Sequence, residues 1–348
     1  MLQLKNISKK YEEFALHHIS FSIEKGEYVV LLGESGAGKS LIIEMLAGLI
    51  HPDEGEIFLD SKNITHEKIQ KRNMGMVFQD NTVFPHLKVK NNIAFPLKTR
   101  KLEAPAIQKI VMGLAQKTQV DHLLNRWPET LSGGELQRVA IARTLACHPV
   151  CLLLDEPLAS LDVQLRDDMR SLLRGLNAEG MTMIHVTHDF EEAVSLADKI
   201  GIVHQGELVQ FGSPKEIFHK PKSKFIAKFS GIKNFYNSMV VNEKTIMLEN
   251  RIELKLPHGL SKGQGFAMFK SEDVILSTSQ IDSSIINNFK GQVVEVIPSH
   301  RGMEVVVDIG IMVSTLISQE SFDRFQMKKH GMIWIGIKAT AIHFIEKE

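Results

Sequence analysis

Short apolar runs in the first two thirds of the chain are separated by segments with helical periodicity. The runs are EYVVLL (27–32), CLLLDEP (151–157) and MTMIHVTHD (181–189), and KIGIVHQGELVQFG (199–212) has the pattern of a hairpin. Amphipathic helices are predicted at about 105–117, 133–147, 162–178 and 189–197. Strands that are apolar throughout and alternate with helices predict a parallel sheet covered on both faces.

The pattern changes at about residue 230, where helical periodicity gives way to short alternating runs separated by turn residues. Such runs predict a small all-β domain, either a barrel or a sandwich, and we expect an OB-like barrel. We place the boundary within SGIKN (230–234) and predict two domains, 1–230 and 231–348. A chain of 348 residues is long enough for about two domains with separate cores.

Composition weighs against some classes of function. Lysine plus arginine equals aspartate plus glutamate, 41 against 41, so no basic surplus favours nucleic acid as a partner. The opening MLQLKNISKKY alternates like a strand, and we expect neither a signal peptide nor a membrane span. Cys147 and Cys151, in CHPVC, are expected to be small buried hydrophobes rather than metal ligands.

The segment GESGAGKS (33–40) matches the phosphate-loop pattern G-x-x-x-x-G-K-[ST] and lies between a predicted strand and a predicted helix. Glycines let backbone N–H groups curl around phosphate oxygens. Lys39 is expected to reach the β- and γ-phosphates, and the Ser40 hydroxyl is expected to bind Mg²⁺. The predicted nucleotide contacts of this loop are Gly33, Glu34, Ser35, Gly36, Ala37, Gly38, Lys39, Ser40 and Leu41.

Two adjacent carboxylates end the apolar run CLLLDE, at the sheet edge where open α/β sheets bind ligands. Asp155 is expected to complete the Mg²⁺ shell with Ser40. Glu156 is then positioned to orient and deprotonate a water molecule. These residues together predict hydrolysis of a nucleoside triphosphate.

A second helix start, LSGGELQR (131–138), also has the character of an anion site, because a serine and bare amides precede the helix. This motif, together with the phosphate loop and the paired carboxylates, resembles the signature of ATP-binding cassette (ABC) ATPases over residues 1–230. The resemblance implies an α/β P-loop cassette with a mostly parallel sheet, an antiparallel β subdomain and a helical signature subdomain. It also implies a head-to-tail homodimer, in which each signature contacts ATP held by the other chain.

The resemblance assigns roles to individual residues. Tyr11 matches the aromatic that stacks on adenine, although an exposed tyrosine remains an alternative. Gln79 matches the glutamine that senses Mg²⁺ and the attacking water, and His188 matches the γ-phosphate contact. His185, within the strand, is expected to be a core histidine. The residues implied to act across the dimer are Ser132, Gly133, Gly134 and Glu135 of the signature, with Ser160, Leu161 and Asp162 of a second loop.

Two features resemble importer cassettes in particular. The segment DNTVFPHLKVKNNIAFPL (80–97) resembles the site that receives a permease helix, and RWPET stands where exporters have an acidic, glycine-containing loop. Residues 284–347 resemble the molybdate-binding Mop-type TOBE module. The oxyanion contacts that this implies are Ser284, Asn287, Thr315, Lys338, Ala339 and Thr340. One departure is Ile286, which stands where that module has an arginine.

The expected function is therefore that of a homodimeric ATPase at the cytoplasmic face of a membrane permease, using ATP and Mg²⁺. It would drive import of an oxyanion delivered by an external binding protein, with molybdate or tungstate favoured. Oxyanion bound to the C-terminal domain would inhibit uptake. The alternatives are an importer for sulfate, iron, a sugar or a polyamine with a purely structural C-terminal domain, and a soluble molybdate-binding or sensing protein.

Overall fold

The structure is a computed structural model that describes residues 1–347 with the exception of 81, 101, 160, 220, 230 and 261. The chain forms two compact units, Met1–Ile217 and Phe218–Glu348. The strands of the first unit are β1 Leu2–Lys10, β2 Ala15–Ile23, β3 Tyr28–Leu32, β4 Glu54–Leu59, β5 Lys62–Asn63, β6 Met74–Val77, β7 Cys151–Asp155, β8 Thr182–Thr187, β9 Lys199–His204 and β10 Glu207–Gly212. Its helices are α1 Lys39–Ala47, α2 Ile69–Arg72, α3 Val89–Ala94, α4 Ala104–Lys117, α5 Gly133–Leu145, α6 Val163–Ala178 and α7 Phe190–Leu196, and α8 Pro214–His219 begins in it.

The central sheet of the first unit has the order β10-β9-β3-β8-β7-β6. Its strands are parallel, except for β10, which pairs with β9 in antiparallel fashion. Every residue of β3 and β8 is buried, because helices cover both faces. A separate antiparallel sheet, β2-β1-β4-β5, supplies the antiparallel subdomain. The predicted α/β cassette architecture is confirmed.

Helices α3, α4 and α5 form a helical subdomain around a core of their own. The side chains of this core include Val89, Ile93, Leu97, Val111, Ala115, Leu123, Val139 and Ala142. Because α5 begins at the signature, this packing fixes where the Ser-Gly-Gly start of the helix lies. The structure places α4, α5, α6 and α7 within two residues of the bounds predicted from periodicity.

The second unit contains two five-stranded antiparallel sheets around one apolar core. Its strands are β11 Asn234–Asn242, β12 Thr245–Leu248, β13 Ile252–Lys255, β14 Gln264–Phe269, β15 Val274–Ser277, β16 Asn287–Ser299, β17 Gly302–Asp308, β18 Met312–Ile317, β19 Met332–Ile337 and β20 His343–Glu346, with helices α9 Lys224–Phe229 and α10 Gln319–Phe325. The sheet orders are β13-β12-β11-β14-β20 and β15-β19-β16-β17-β18. The second sheet curls, and the Thr315 hydroxyl of one edge strand donates a 2.9 Å hydrogen bond to the Val274 carbonyl of the other.

The compact units divide between Ile217 and Phe218, ahead of the boundary predicted at residue 230. The reason is packing: Ala227 of α9 is buried against Ile232, Phe235 and Met268 of the second unit. The predicted boundary residue Ser230 lies outside the described residues. The division of function at 230 stays a prediction.

The two cysteines are free thiols, and Cys151 is buried in the central sheet. Burial raises the pKa of the Cys151 thiol to about 12, so the group remains neutral and packs as a small hydrophobe. Among the described residues, no helix combines the length and the apolarity that crossing a bilayer requires.

Arg72 is fully buried and has no carboxylate partner among the described residues. Its guanidinium instead donates to four backbone carbonyls, at distances between 2.5 and 3.1 Å. The acceptors are Met45, Leu46, Thr65 and Glu67. Because two of these carbonyls end α1, Arg72 joins the helix that follows the phosphate loop to the segment that leads out of the antiparallel sheet.

We expect Arg72→Met to destabilise the first unit by about 3 kcal/mol, because four backbone carbonyls lose a charged hydrogen-bond donor. For a unit of this size the thermal midpoint should fall by about 6–12 °C, which calorimetry measures. Lys71→Met, at the neighbouring exposed position, should leave the midpoint within about 1 °C. Equal midpoints for the two variants would contradict this role.

Candidate nucleotide site

The phosphate loop begins where the buried strand β3 ends and turns directly into α1. Gly33 has no room for a side chain, since a Cβ there would lie 2.1 Å from the Val203 carbonyl oxygen. Gly38 has a φ of 97°, in the left-handed region that glycine adopts at low cost. The loop conformation therefore depends on these two glycines, as the motif predicts.

Lys39 is buried at the start of α1, and its ammonium group donates to the carbonyls of Gly33 at 2.9 Å and Glu34 at 2.8 Å. Burial lowers the pKa of Lys39, and the nearby Glu156 and Asp155 carboxylates oppose that shift. A buried ammonium group that has only backbone carbonyls as hydrogen-bond partners is well suited to bind an anion. This is the arrangement that a triphosphate requires.

A cleft of about 360 Å³ opens at the loop. It is lined by Phe14, Ser35, Gly36, Gly38, Lys39, Ser40, Leu41, Gln79 and Glu156. Sequence reasoning missed Phe14, which packs so closely on Gly38 that a Cβ there would lie 2.7 Å from the ring. The only sequence signal is an aromatic residue immediately before β2. Tyr11 is 41% exposed and is absent from this lining, so its adenine contact stays a prediction.

Ser40 and Asp155 meet at the end of β7, where the serine hydroxyl donates to Asp155 Oδ1 at 3.0 Å. Burial raises the pKa of Asp155, the hydrogen bond from Ser40 lowers it, and the adjacent Glu156 raises it again. The ionised form of Asp155 is therefore less stable here than it would be in water, and a nearby cation would stabilise it. A hydroxyl, a carboxylate and the nearby Gln79 amide are oxygen donors of the kind that Mg²⁺ prefers. The predicted metal ligands Ser40, Gln79 and Asp155 fit the ion, which when bound would neutralise phosphate charge.

Glu156 is held at the sheet edge with a φ of 44°, an uncommon value for a residue with a side chain. Its backbone N–H donates to the Val186 carbonyl of β8 at 2.9 Å. His188 Nδ1 lies 3.1 Å from Glu156 Oε1, and Gln79 Nε2 lies 3.5 Å from Glu156 Oε2. Three separate segments thus bring the predicted catalytic residues Glu156, His188 and Gln79 together. A carboxylate so oriented can hold and deprotonate a water molecule.

His185 lies inside β8 and is fully buried. Its Nδ1 is 3.0 Å from the Tyr28 hydroxyl, and its Nε2 is 3.3 Å from Glu192 Oε2 of α7. Burial alone would raise the pKa of Glu192, but the His185 ring beside it, together with the Thr187 hydroxyl and the Arg170 charge, holds the pKa below its usual value. His185 therefore supports the core, as its position within the strand predicts.

The signature begins α5 with a complete capping box. The Glu135 amide donates to Ser132 Oγ at 3.3 Å, and the Ser132 amide donates to Glu135 Oε2 at 2.7 Å. The hydrogen bond from the Ser132 backbone is the main cause that lowers the pKa of Glu135. Gly134 is buried against Leu161 and Leu165.

Gly133 differs from Gly134, because it is exposed and a Cβ there would meet no described atom within 4 Å. Nothing within the described part of the chain requires a glycine at this position. Ser132, Gly133, Gly134, Glu135 and Asp162 are absent from the lining of the phosphate-loop cleft. The signature helix start therefore lies on a surface separate from the phosphate-loop cleft.

Asp162 caps α6 by accepting a 2.9 Å hydrogen bond from the Leu165 amide. Leu161 beside it is buried, and Ser160, the third member of the predicted interface loop, lies outside the described residues. The Asp162 carboxylate thus stabilises the start of α6 within its own chain. Its role across a dimer stays a prediction.

The predicted oxyanion residues of the second unit are used in two ways. Asn287 is buried, and its side chain bonds to the backbone of Lys255 and to the Ile337 carbonyl, while Thr315 is committed to Val274. Ser284, Lys338 and Thr340 are exposed and Ala339 is half-buried. Because the amide and the buried hydroxyl already fix strands, they have little capacity left for a ligand.

The comparisons with known proteins identify the family. The ABC transporter family model matches residues 16–159. The chain is 39% identical to the molybdate/tungstate import ATP-binding protein WtpC of Pyrococcus abyssi, over 98% of this chain and 99% of that one. The chain belongs to the ABC transporter family. Hydrolysis of ATP coupled to transport is accordingly its activity.

Other relatives agree with this membership. WtpC of Thermococcus kodakarensis is 44% identical over 84% of this chain and 88% of its own. The sulfate/thiosulfate import ATP-binding protein CysA of Nephroselmis olivacea is 37% identical over 96% of this chain and 94% of its own. Among solved structures, the dimeric post-hydrolysis state of the ATP-binding cassette MJ0796 with ADP and Pi matches with a TM-score of 0.56 and 31% identity, over 61% of this chain and 98% of that one.

We expect Glu156→Gln to reduce ATP hydrolysis by about 10²–10⁴-fold, because an amide cannot accept the proton of the attacking water. Binding of ATP should persist, since the phosphate loop and Lys39 are unchanged. Steady-state phosphate release and fluorescent ATP titration measure the two quantities. Glu191→Gln, at an exposed position close to His188, is the matched control and should retain normal turnover. Substantial turnover by Glu156→Gln would remove Glu156 as the base.

Proposed function

We propose that this chain is the ATP-hydrolysing subunit of an importer for a tetrahedral oxyanion, with molybdate or tungstate as the cargo. The observation that carries the proposal is the match to WtpC, which spans both units of the chain at 39% identity for Pyrococcus abyssi and reaches 44% identity for Thermococcus kodakarensis. A spermidine/putrescine relative and a sulfate/thiosulfate relative also match over both units, at 39% and 37% identity. The preference for molybdate or tungstate therefore rests on the higher identity to WtpC of Thermococcus kodakarensis and not on the extent of the match.

The sulfate/thiosulfate relative supports the oxyanion class more broadly, since it also covers nearly the whole chain. Molybdate, tungstate and sulfate share charge and tetrahedral shape. The choice among them is made where the solute binds, in the external binding protein and the permease. This chain energises that step from the cytoplasmic side.

The arrangement of the two anion sites supports a head-to-tail homodimer. Each phosphate loop would hold one ATP, and the exposed Ser132–Gly133 start of the other chain's α5 would approach its γ-phosphate. The open space at Gly133 is consistent with close approach from outside the chain. ATP would then join two cassettes, and hydrolysis would release them, which gives the permease two states to follow.

We expect Gly133→Glu to abolish ATP-dependent dimerisation and reduce turnover at least about tenfold, because a carboxylate would face the phosphate of the partner site. Folding should be unaffected, since no described atom lies within 4 Å of the new Cβ. Light scattering with ATP in the Glu156→Gln background measures dimerisation.

The matched control is Gly113→Glu, at an exposed position of α4 that is equally open. It adds the same charge to the same unit away from the signature, so dimerisation should be normal. If both variants dimerise equally well, the signature surface is not the interface.

The cargo is tested with the transporter reconstituted in vesicles, from this chain, its permease and the external binding protein. Molybdate or tungstate should stimulate ATP hydrolysis and enter the vesicles, and sulfate should do so more weakly. Stimulation by a sugar, an iron chelate or spermidine, with none by oxyanions, would overturn the cargo while leaving the ATPase intact.

Regulation by cargo is the remaining part of the proposal. Oxyanion that accumulates inside would bind the second unit and favour separated cassettes, which requires tighter binding to that state than to the closed dimer. The sequence prediction places this contact at Ser284, Asn287, Thr315, Lys338, Ala339 and Thr340. A second unit that only stabilises the assembly is the alternative, and unchanged ATPase at saturating oxyanion would favour it.

A further inference from the structure

A pocket in the second unit collects cationic side chains from three separate segments. It has a volume of about 320 Å³ and is lined by Gly231, Lys233, Lys270, Ser271, Glu272, His300, Arg301, Glu304 and Leu316. Lys233 precedes β11, Lys270 follows β14, and His300 and Arg301 form the turn between β16 and β17. The pocket thus contains three cationic side chains and one imidazole, together with the carboxylates of Glu272 and Glu304.

The turn that carries His300 and Arg301 has a fixed conformation. Gly302 has a φ of 133°, and a Cβ at this position would lie 2.2 Å from the Ile317 carbonyl oxygen. Only glycine fits there. The two side chains are therefore presented by a turn whose backbone has little freedom to move away.

Both carboxylates of the pocket already have partners. Glu304 accepts hydrogen bonds from Lys233 and from the Ser314 hydroxyl, the latter at 2.6 Å, and Ser271 Oγ donates to Ser314 Oγ at 3.2 Å. Burial alone would raise the pKa of Glu304, but these bonds hold it below its usual value, so the carboxylate stays charged. Glu272 pairs with Arg301 at 3.2 Å.

This pairing leaves Lys270 and His300 without a carboxylate partner among the described residues. Lys270 offers three N–H donors, and His300 offers at least one in either protonation state. The Ser271 hydroxyl oxygen, next in sequence to Lys270, keeps acceptor capacity for a bound water. A ligand that accepts hydrogen bonds at several oxygens and carries negative charge would satisfy these groups.

We propose that this pocket, which we call the Lys270 pocket, binds a small tetrahedral oxyanion. It differs in position from the sequence-predicted contacts around Lys338, where Asn287 and Thr315 are already committed to backbone groups. The proposal that an oxyanion binds is argued from the groups that line the pocket. The further idea that this binding lets accumulated cargo inhibit uptake rests on the proposed function.

The test is calorimetric titration of the full-length protein with molybdate, sulfate and inorganic phosphate in turn. A non-hydrolysable ATP analogue with Mg²⁺ is kept saturating, so that the phosphate loop cannot bind the added anion. Wild-type protein should bind at least one of the three anions. Lys270→Ala and His300→Ala should each weaken that binding by about tenfold, since each removes a donor to a charged group.

Two controls locate the site. Lys290→Ala removes an exposed lysine of β16 outside the pocket and should leave the affinity unchanged. Lys338→Ala tests the sequence-predicted contacts in the same titration, and we expect it to weaken binding less than Lys270→Ala does. Loss of binding with Lys338→Ala and not with Lys270→Ala would overturn the proposal, as would the absence of wild-type binding up to about 10 mM anion.

The ranking of the three anions shows which oxyanion the pocket prefers. A negative titration would overturn the pocket proposal without affecting the proposed import function. A negative import assay would overturn the cargo without affecting the titration result. Thermal midpoints of all variants exclude unfolding as the cause, and the exposed positions of Lys270, His300, Lys290 and Lys338 make normal midpoints the expected result.

Discussion

Charge held out of water at one edge of the central sheet is the constraint on which the nucleotide site depends. Lys39 is buried with only carbonyl oxygens as hydrogen-bond acceptors, and Asp155 is desolvated beside a second carboxylate. Each of these groups would be more stable in water than in this setting. The glycine turn, the all-buried strand β3 and the Arg72 contacts behind α1 keep the groups in place. Phosphate would add negative charge beside Lys39, and Mg²⁺, when bound, would add positive charge beside Asp155.

The same constraint distinguishes the two helix starts that have the character of anion sites. The phosphate loop surrounds a buried ammonium group, whereas the signature offers an exposed serine and a glycine with open space around it. The first can bind a nucleotide within one chain. In the dimer that we propose, the second would act only against the nucleotide of a neighbouring chain, and assembly and hydrolysis would then be parts of a single cycle.

The sequence predicts the fold well where periodicity and length agree. The parallel strands, the signature helix and the change to β structure all follow from apolar spacing, because burial on two faces and burial on one face leave different patterns. The boundary at 230 differs from the compact division, because α9 has a helical pattern but packs on the second unit. The spacing of apolar residues predicts that a segment is helical, but it does not show against which of the two units the helix packs.

Where chemistry and motif coincide, the predicted site residues lie close together in the structure, as Lys39, Ser40, Asp155 and Glu156 do. Phe14 and Arg72 were missed, because an aromatic before a strand and an arginine in a short helix have no distinctive spacing. Asn287 and Thr315 show the opposite case. Their residue types suit an anion, but only coordinates reveal that β-strand backbone already uses them.

The loop that carries His188 is anchored on both sides, with a consequence for timing. On one side the Asp189 amide donates to Thr187 Oγ1, and on the other the Asp189 carboxylate caps α7, whose Glu192 faces His185. The backbone there has little freedom, so the half-exposed His188 ring would change partners by rotation of its side chain. Such rotations take picoseconds to nanoseconds, whereas domains move in microseconds to milliseconds. The predicted contact between His188 and the phosphate would therefore form quickly, and the movement of whole cassettes would set the pace of the cycle.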